Sequence, residues 1–80
     1  MTKEEFSLWV DTMAKNIDYK RYSAYRFDTT VICYDKKTRK VGVAMCHPDD
    51  NFNMNIGKAI AYARCKGYSI PNDNSSLFVD

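Results

Sequence analysis

Cys46, His47, Asp49 and Asp50 are residue types that bind metal ions, and they lie together between positions 46 and 50. Neighbouring residues on a β-strand point to opposite faces, so Cys46 and His47 can chelate jointly only if the strand ends between them. For the same reason Cys46 and His47 cannot act together as a nucleophile and its general base. So short a chain also has little room for the pocket and oxyanion site that such a pair needs. The sequence therefore predicts no catalytic residue, no metal site and no cofactor, and indicates that the protein is not an enzyme.

The most concentrated charge in the chain is a basic run comprising Lys36, Lys37, Arg39 and Lys40. One interpretation is a contact to phosphates or to an acidic partner, of the kind that positions nucleic acid without reading its sequence. The other is a solvated turn whose lysines protect a sheet edge from aggregation. Both interpretations stay open at the level of the sequence.

Tyrosine is unusually frequent, and its six positions are Tyr19, Tyr22, Tyr25, Tyr34, Tyr62 and Tyr68. Tyrosine is enriched at binding interfaces because it offers a large rigid ring with a polar tip. The sequence predicts a partner-binding surface comprising Tyr19, Tyr22, Tyr25, Arg21 and Arg26. Tyrosines at every third position cannot all face one side of a strand, so at least one of the three should be exposed. The alternatives are half-buried tyrosines of a small sheet, or rings that stack the bases of single-stranded nucleic acid.

Length and composition limit what can carry these residues. The chain has 80 residues and a mass of 9.3 kDa, which predicts one domain with a modest core. Hydrophobic residues make up 45% of the chain, yet the mean hydropathy is −0.51, because much of the apolar content is aromatic, with six tyrosines, and tyrosine counts as polar on hydropathy scales. A net charge of +2 is too even for a surface built throughout to hold nucleic acid, so any such site must be local.

Cysteine usage and the N-terminus indicate the compartment. The three cysteines show no C-x-x-C spacing, which favours reduced thiols over a disulfide framework or a zinc ribbon. The polar first residues lack the apolar stretch of a signal peptide, and no apolar run reaches the ~18 residues that span a bilayer. We expect a soluble cytoplasmic protein without a membrane partner.

The N-terminal segment predicts a helix from about Lys3 to Ile17. Thr2 and Glu5 form a capping box, and an apolar stripe follows at helical spacing. The stripe comprises Phe6, Trp9, Val10, Met13 and Ile17. Leu8 lies opposite this stripe, and is either a single exposed apolar residue or part of a second contact surface.

Three stretches of high β-propensity follow, at about 22–27, 29–34 and 41–46. The last two should form a hairpin around the basic run, with Val41, Val43 and Met45 on one face of the last strand and small residues on the other. Pro48 should end the strand pairing, and Phe52 should fill the core.

Asn53 and Gly67 predict the two ends of a second helix that reaches about Lys66. Its core stripe should comprise Ile56, Ala59, Ile60 and Ala63, with Gly57 beside them allowing a close approach to the sheet, while Lys58, Tyr62 and Cys65 face outward.

Together these elements predict an α+β fold of two layers, in the order α-β-β-β-α. Two helices should pack on one face of an antiparallel sheet of two to three strands. The domain should cover residues 1–70, followed by a polar tail, 71–80. The apolar Leu77, Phe78 and Val79 at its end either dock back or fray, and fraying is the expected state.

The segment from Val43 to Arg64 resembles a family of small phage and prophage proteins. The shared residues are Cys46, Pro48, Asp50, Phe52, Gly57, Ile60, Ala61 and Arg64. The resemblance implies a mobile-element origin and a fold like that of double-stranded-RNA-binding domains, with no defined activity. We expect Pro48, Asp50, Phe52, Gly57 and Arg64 to have structural roles around the loop, with Arg64 pairing with Asp49 or Asp50. The acidic stretch 47–51 argues against duplex RNA binding in the usual mode.

Three hypotheses for function result. The first is a phage protein in the host cytoplasm that occludes a host macromolecule, such as a defence or nucleic-acid enzyme, through a tyrosine-rich and partly basic surface. The second is a nucleic-acid-binding module that uses the basic hairpin, and the third is a homodimer that sequesters a small molecule. Steep salt dependence would distinguish the second from the first, and a ligand-dependent rise in melting temperature would reveal the third.

Overall fold

Two helices and four strands make up the fold in the computed structural model, which describes residues 2–46, 53–70 and 78–79. The elements are α1 (Lys3–Lys15), β1 (Tyr22–Phe27), β2 (Thr30–Asp35), β3 (Val41–Cys46), α2 (Met54–Lys66) and β4 (Phe78–Val79). The predicted α+β class and the order α-β-β-β-α are confirmed. Neither described helix is long and apolar enough to cross a membrane.

The helix ends follow from local chemistry. Thr2 and Glu5 form the predicted capping box at the start of α1, and the Asn53 side chain accepts a hydrogen bond from the Ile56 amide at the start of α2. Gly67 ends α2 at a φ of 77°, a left-handed conformation that suits glycine. α1 ends two residues before the predicted position, although Ile17 is still buried.

The sheet is an antiparallel meander with the order β1-β2-β3-β4. The three long strands lie where the sequence predicted them. The C-terminal tail differs from expectation, because Phe78 and Val79 pair with Cys46 and Met45 of β3 instead of fraying. The outer edge of β3 offers backbone groups to any nearby chain, and these two residues of high β-propensity use them. Leu77 lies outside the described residues.

The core lies between the sheet and the helices. α2 packs directly on β2 and β3, and α1 packs against α2. β3 places the small residues Gly42 and Ala44 beneath α2, and a Cβ atom at Gly42 would collide with the carbonyl oxygen of Ala61 and the backbone nitrogen of Cys65. Gly42 therefore sets how closely α2 approaches the sheet.

Tyr62 and Cys65 were predicted to face outward, and this prediction is wrong because both are buried. α2 is covered by the sheet on one side and by α1 on another. More of its surface is therefore buried than the single apolar stripe of a helix that packs on one neighbour. The predicted stripe of α1 is confirmed, with Trp9 only partly buried, and Leu8 is exposed as a single apolar residue.

Candidate interaction surfaces

The first candidate surface is the side of the sheet that faces away from α2. Side chains alternate between the faces of a strand, so every second residue of β1, β2 and β3 projects to this side. We call these residues the open sheet face, and they are Ser23, Tyr25, Phe27, Thr30, Ile32, Tyr34, Val41, Val43 and Met45. None of them carries a charge.

Strand register brings the apolar members of the open sheet face into rows. Tyr25 lies opposite Ile32, which lies opposite Val43 on the next strand. Phe27 begins a second row that ends at Met45. Phe27 (78% exposed) and Tyr25 (58%) are neighbours on β1, and the half-buried Ile32 and Val43 extend the apolar surface from Tyr25 across the sheet, while Val41 (53%) lies at the opposite corner of the face. A contiguous apolar patch of this kind is typical of an interaction site.

The second candidate surface begins at the β2–β3 turn, which Asp35 organises. The buried Asp35 carboxylate accepts hydrogen bonds from the Lys37 amide at 2.9 Å and the Thr38 hydroxyl at 2.8 Å. Arg21 donates to it from both Nε, at 3.0 Å, and Nη2, at 2.8 Å. This bidentate pair is the main reason that the pKa of Asp35 is held well below its usual range, although burial opposes the shift.

Seven of the twelve basic residues gather at this end of the sheet. The Lys36 amide bonds the Arg21 carbonyl, and the Cys65 thiol donates to the Lys40 carbonyl at 3.4 Å, which brings the end of α2 to the turn. We call this group the basic pole, and its members are Lys20, Arg21, Lys36, Lys37, Arg39, Lys40 and Lys66. Asp35 neutralises Arg21, and the other six cations outnumber the one further carboxylate near them in the described chain, Asp18, which accepts a hydrogen bond from the Lys20 amide, so the potential is positive.

Tyrosine rings surround the Lys66 ammonium group of the basic pole. Its Nζ lies 5.6 Å from the ring centre of Tyr68, 5.8 Å from that of Tyr22 and 5.9 Å from that of Tyr62. The pKa of Lys66 is raised, mainly because its ammonium group lies close to the Tyr22 hydroxyl. Within the described chain this buried hydroxyl makes no hydrogen bond of good geometry. Cation–π attraction therefore holds Lys66 at this end of α2.

The structure divides the predicted partner-binding set. Tyr22 is only 3% exposed and belongs to the core, whereas Tyr19 and Tyr25 are more than half exposed. Tyr25 lies on the open sheet face, while Arg21 belongs to the basic pole. Arg26 donates to the Asp28 carbonyl at the opposite turn. The five residues therefore do not form one surface, but contribute to separate ones.

Two of the predicted structural residues can be placed. Gly57 is buried in α2, and Arg64 donates from Nη1 to the Val43 carbonyl at 2.8 Å, which ties α2 to β3. The other three, Pro48, Asp50 and Phe52, lie outside the described residues. So do His47 and Asp49 of the metal-type cluster and the predicted carboxylate partners of Arg64.

Other groups in the described chain offer little chemistry. No three His, Cys, Asp or Glu side chains there could hold a metal ion. Cys33 and Cys65 are free and buried, and burial raises the pKa of Cys33 to about 12, so its thiol stays protonated. An open groove of about 240 Å³ between α1 and α2, lined by Asp11, Lys15 and Tyr19 among others, is below the ~300–1,000 Å³ of small-molecule sites.

Sequence reasoning missed two features of these surfaces. The open sheet face was not predicted as an interface, although the alternation of Val41, Val43 and Met45 was noted; the missing information was which side the helices cover. Asp35 was not among the predicted site residues. Its position two and three residues before Lys37 and Thr38 is the signal for a carboxylate that bonds its own turn.

Comparison of this chain with protein-family models, with curated proteins and with solved structures gives no match.

Proposed function

We propose that this protein is a non-enzymatic binding protein that docks its open sheet face on an apolar surface of a host protein and acts by occluding it. The observation that carries the proposal is the set of exposed apolar side chains on this face, Tyr25, Phe27, Val41 and Met45. Phage origin and a host partner in the cytoplasm rest on the resemblance of the segment from Val43 to Arg64.

The size of the open sheet face favours a partner larger than a second copy of this chain. Six residues per strand and three strands span roughly 20 by 14 Å, a projected area of about 300 Å². A standard stable interface buries about 800 Å² on each partner. The accessible area of the side chains on this face is larger than its projected area, but two copies stacked through it alone would bury nothing beyond the face. A larger protein that also contacts the rims of the sheet can bury more.

Aromatic residues supply the anchors that such an interface needs. Phe27 and Tyr25 are both on the edge strand β1, where a partner can approach from the face and from the side. Large aromatic anchors dominate binding energy at interfaces. Because the face lacks charges, its binding should depend weakly on salt.

The test is capture from a lysate of the bacterial host, with and without nuclease, followed by repetition with each retained protein in purified form. The informative variant is Tyr25→Ser/Phe27→Ser. Leu8→Ser is the matched control, because Leu8 is also an exposed apolar residue but lies on α1. We expect the wild type and the control to bind the same purified protein, and the double variant to lose at least tenfold in affinity.

Three results would contradict the proposal. Retention of nucleic acid alone, abolished by nuclease, would exclude a protein partner. Equal binding of one purified protein by the wild type and the double variant would move the interface elsewhere. A dimer seen by light scattering and broken by Tyr25→Ser/Phe27→Ser would show that a second copy covers the face.

A further inference from the structure

We propose that the basic pole is a second, independent site that binds single-stranded nucleic acid, with phosphates on the hairpin cations and bases stacked on Tyr19 and Tyr68. The site lies at the end of the sheet where the β2–β3 turn meets α2, away from Tyr25 and Phe27, which lie toward the opposite end of β1. Its ligand class is a polyanion with unpaired bases.

The backbone that carries the cations of the turn is held in place before any ligand arrives. The Arg39 amide donates to the Asp35 carbonyl at 2.7 Å, and the Asp35 side chain fixes the Lys37 amide. The Lys36 ammonium donates to the Tyr19 carbonyl at 3.4 Å, so the turn is also tied to the segment before β1. A fixed turn loses little conformational entropy when it contacts phosphates, and this favours binding.

Two tyrosines flank these cations: Tyr68 beside Lys66, and Tyr19, whose carbonyl accepts from Lys36 while its ring lies 5.5 Å from the Lys58 ammonium group on the α1–α2 side. Tyr19 and Tyr68 are each about half exposed. Tyr68 packs edge to face against the buried Tyr62, with ring centres 6.4 Å apart, and this contact supports the ring while leaving a surface for a base. Aromatic rings beside a basic track are the usual means of binding single strands without sequence preference.

The same rings distinguish a single strand from a duplex. Bases in a duplex are already stacked and cannot reach a tyrosine on a protein surface, whereas unpaired bases can. An acidic peptide would match the cations but would leave Tyr19 and Tyr68 without a role. The arrangement therefore favours single-stranded nucleic acid over both.

The experiment measures the anisotropy of a labelled twelve-nucleotide oligo-dT and of a twelve-base-pair duplex at several salt concentrations. We expect the single strand to bind more tightly than the duplex. If four cations contact phosphates, affinity should fall about 50-fold between 50 and 200 mM salt, from a slope of about −0.7 per contact.

Two variants locate the site. Lys37→Gln/Lys40→Gln removes two exposed cations and should lower the slope by about 1.4. Ser7→Glu/Leu8→Glu is its control, since it changes the net charge by the same amount at exposed positions of α1. Tyr68→Leu keeps an apolar side chain and should weaken the single strand about fivefold or more, while binding of an acidic hexapeptide, the third probe, stays unchanged.

The inference fails if oligo-dT does not bind at low salt, or if the lysine variant and its control bind it equally. Tighter binding of the duplex, or of the acidic hexapeptide, would overturn the ligand class. Tyr25→Ser/Phe27→Ser should leave oligo-dT binding unchanged, so failure here and failure of the proposed protein interface can be told apart.

Discussion

The two faces of the sheet formed by β1, β2 and β3 differ in how far their apolar residues are exposed. Toward α2, β3 presents the small residues Gly42 and Ala44, which are fully enclosed, and the large aromatic residue on this side, Tyr22 of β1, is buried as well. Toward solvent the strands present large side chains, including Tyr25, Phe27 and Met45, which remain exposed. A sheet arranged for stability alone would bury its largest apolar groups, because burial gains about 25 cal/mol per Å². Packing within the fold explains the covered side, and the open side is the one on which the proposed partner would dock.

The largest effect that separates the two faces is expected at Gly42. Gly42→Ala places a methyl group against the backbone of α2, which cannot move without separating the helix from the sheet. Overpacking of this severity costs about 3 kcal/mol. The measurement is urea unfolding followed by circular dichroism.

Val41→Ala is the matched control for that substitution, since it changes the neighbouring residue on the open side. It should cost less than about 1 kcal/mol, mainly in β-propensity. Equal losses for the two variants would mean that the faces do not differ as described.

A smaller effect is expected at Asp35, a buried polar residue on the covered side of the sheet. Asp35→Asn weakens the bidentate pair with Arg21 and should lower the melting temperature by about 5–10 °C at neutral pH. Asp28→Asn is the control, because it makes the same change at the exposed β1–β2 turn, and it should have almost no effect.

The pH dependence of the melting temperature, compared between the wild type and Asp35→Asn, shows which charge state of Asp35 stabilises the fold. The pKa of Asp35 is lower in the folded chain than the ~3.9 of an unfolded aspartate, so its contribution is complete above about pH 4. It is lost as the pH falls through the folded pKa. Between pH 5 and pH 2.5 the wild type should therefore lose more melting temperature than Asp35→Asn, and parallel curves would contradict the assignment.

The smallest effect on stability is expected on the open sheet face. Phe27 is 78% exposed, so Phe27→Ser removes little buried area and should change the free energy of unfolding by no more than about 0.5 kcal/mol. Thermal unfolding monitored by circular dichroism checks it. A large loss would show that Phe27 contributes to the core, and the open side would then need no partner.

Much of this fold could be predicted from the sequence, because its signals are local. The capping box at Thr2 and the caps Asn53 and Gly67 locate helix ends from a few neighbouring residues. The burial of Tyr62 and Cys65 could not be predicted from such local signals. It depends on the packing of α1 against α2, a contact between segments far apart in sequence.

The candidate surfaces were less predictable for the same reason. Hairpin lysines adjacent in sequence were identified, but Lys66 joins them only because Gly42 lets α2 lie close to β3. Alternation in β3 separated two sets of residues without showing which set the helices cover. Tyr22 was predicted on the same surface as Tyr25 because the tyrosines recur at every third position. The two residues lie on opposite faces of β1, and only Tyr25 is exposed.

The tight contact at Gly42 has a consequence for how this protein can change over generations. Because the joint between α2 and the sheet depends on the covered side, substitutions on the open side leave the fold almost untouched. A lineage can therefore exchange Tyr25, Phe27 or Met45 freely and try new surface shapes, at little risk to folding. Such a scaffold is suited to follow a target that is itself evolving to escape.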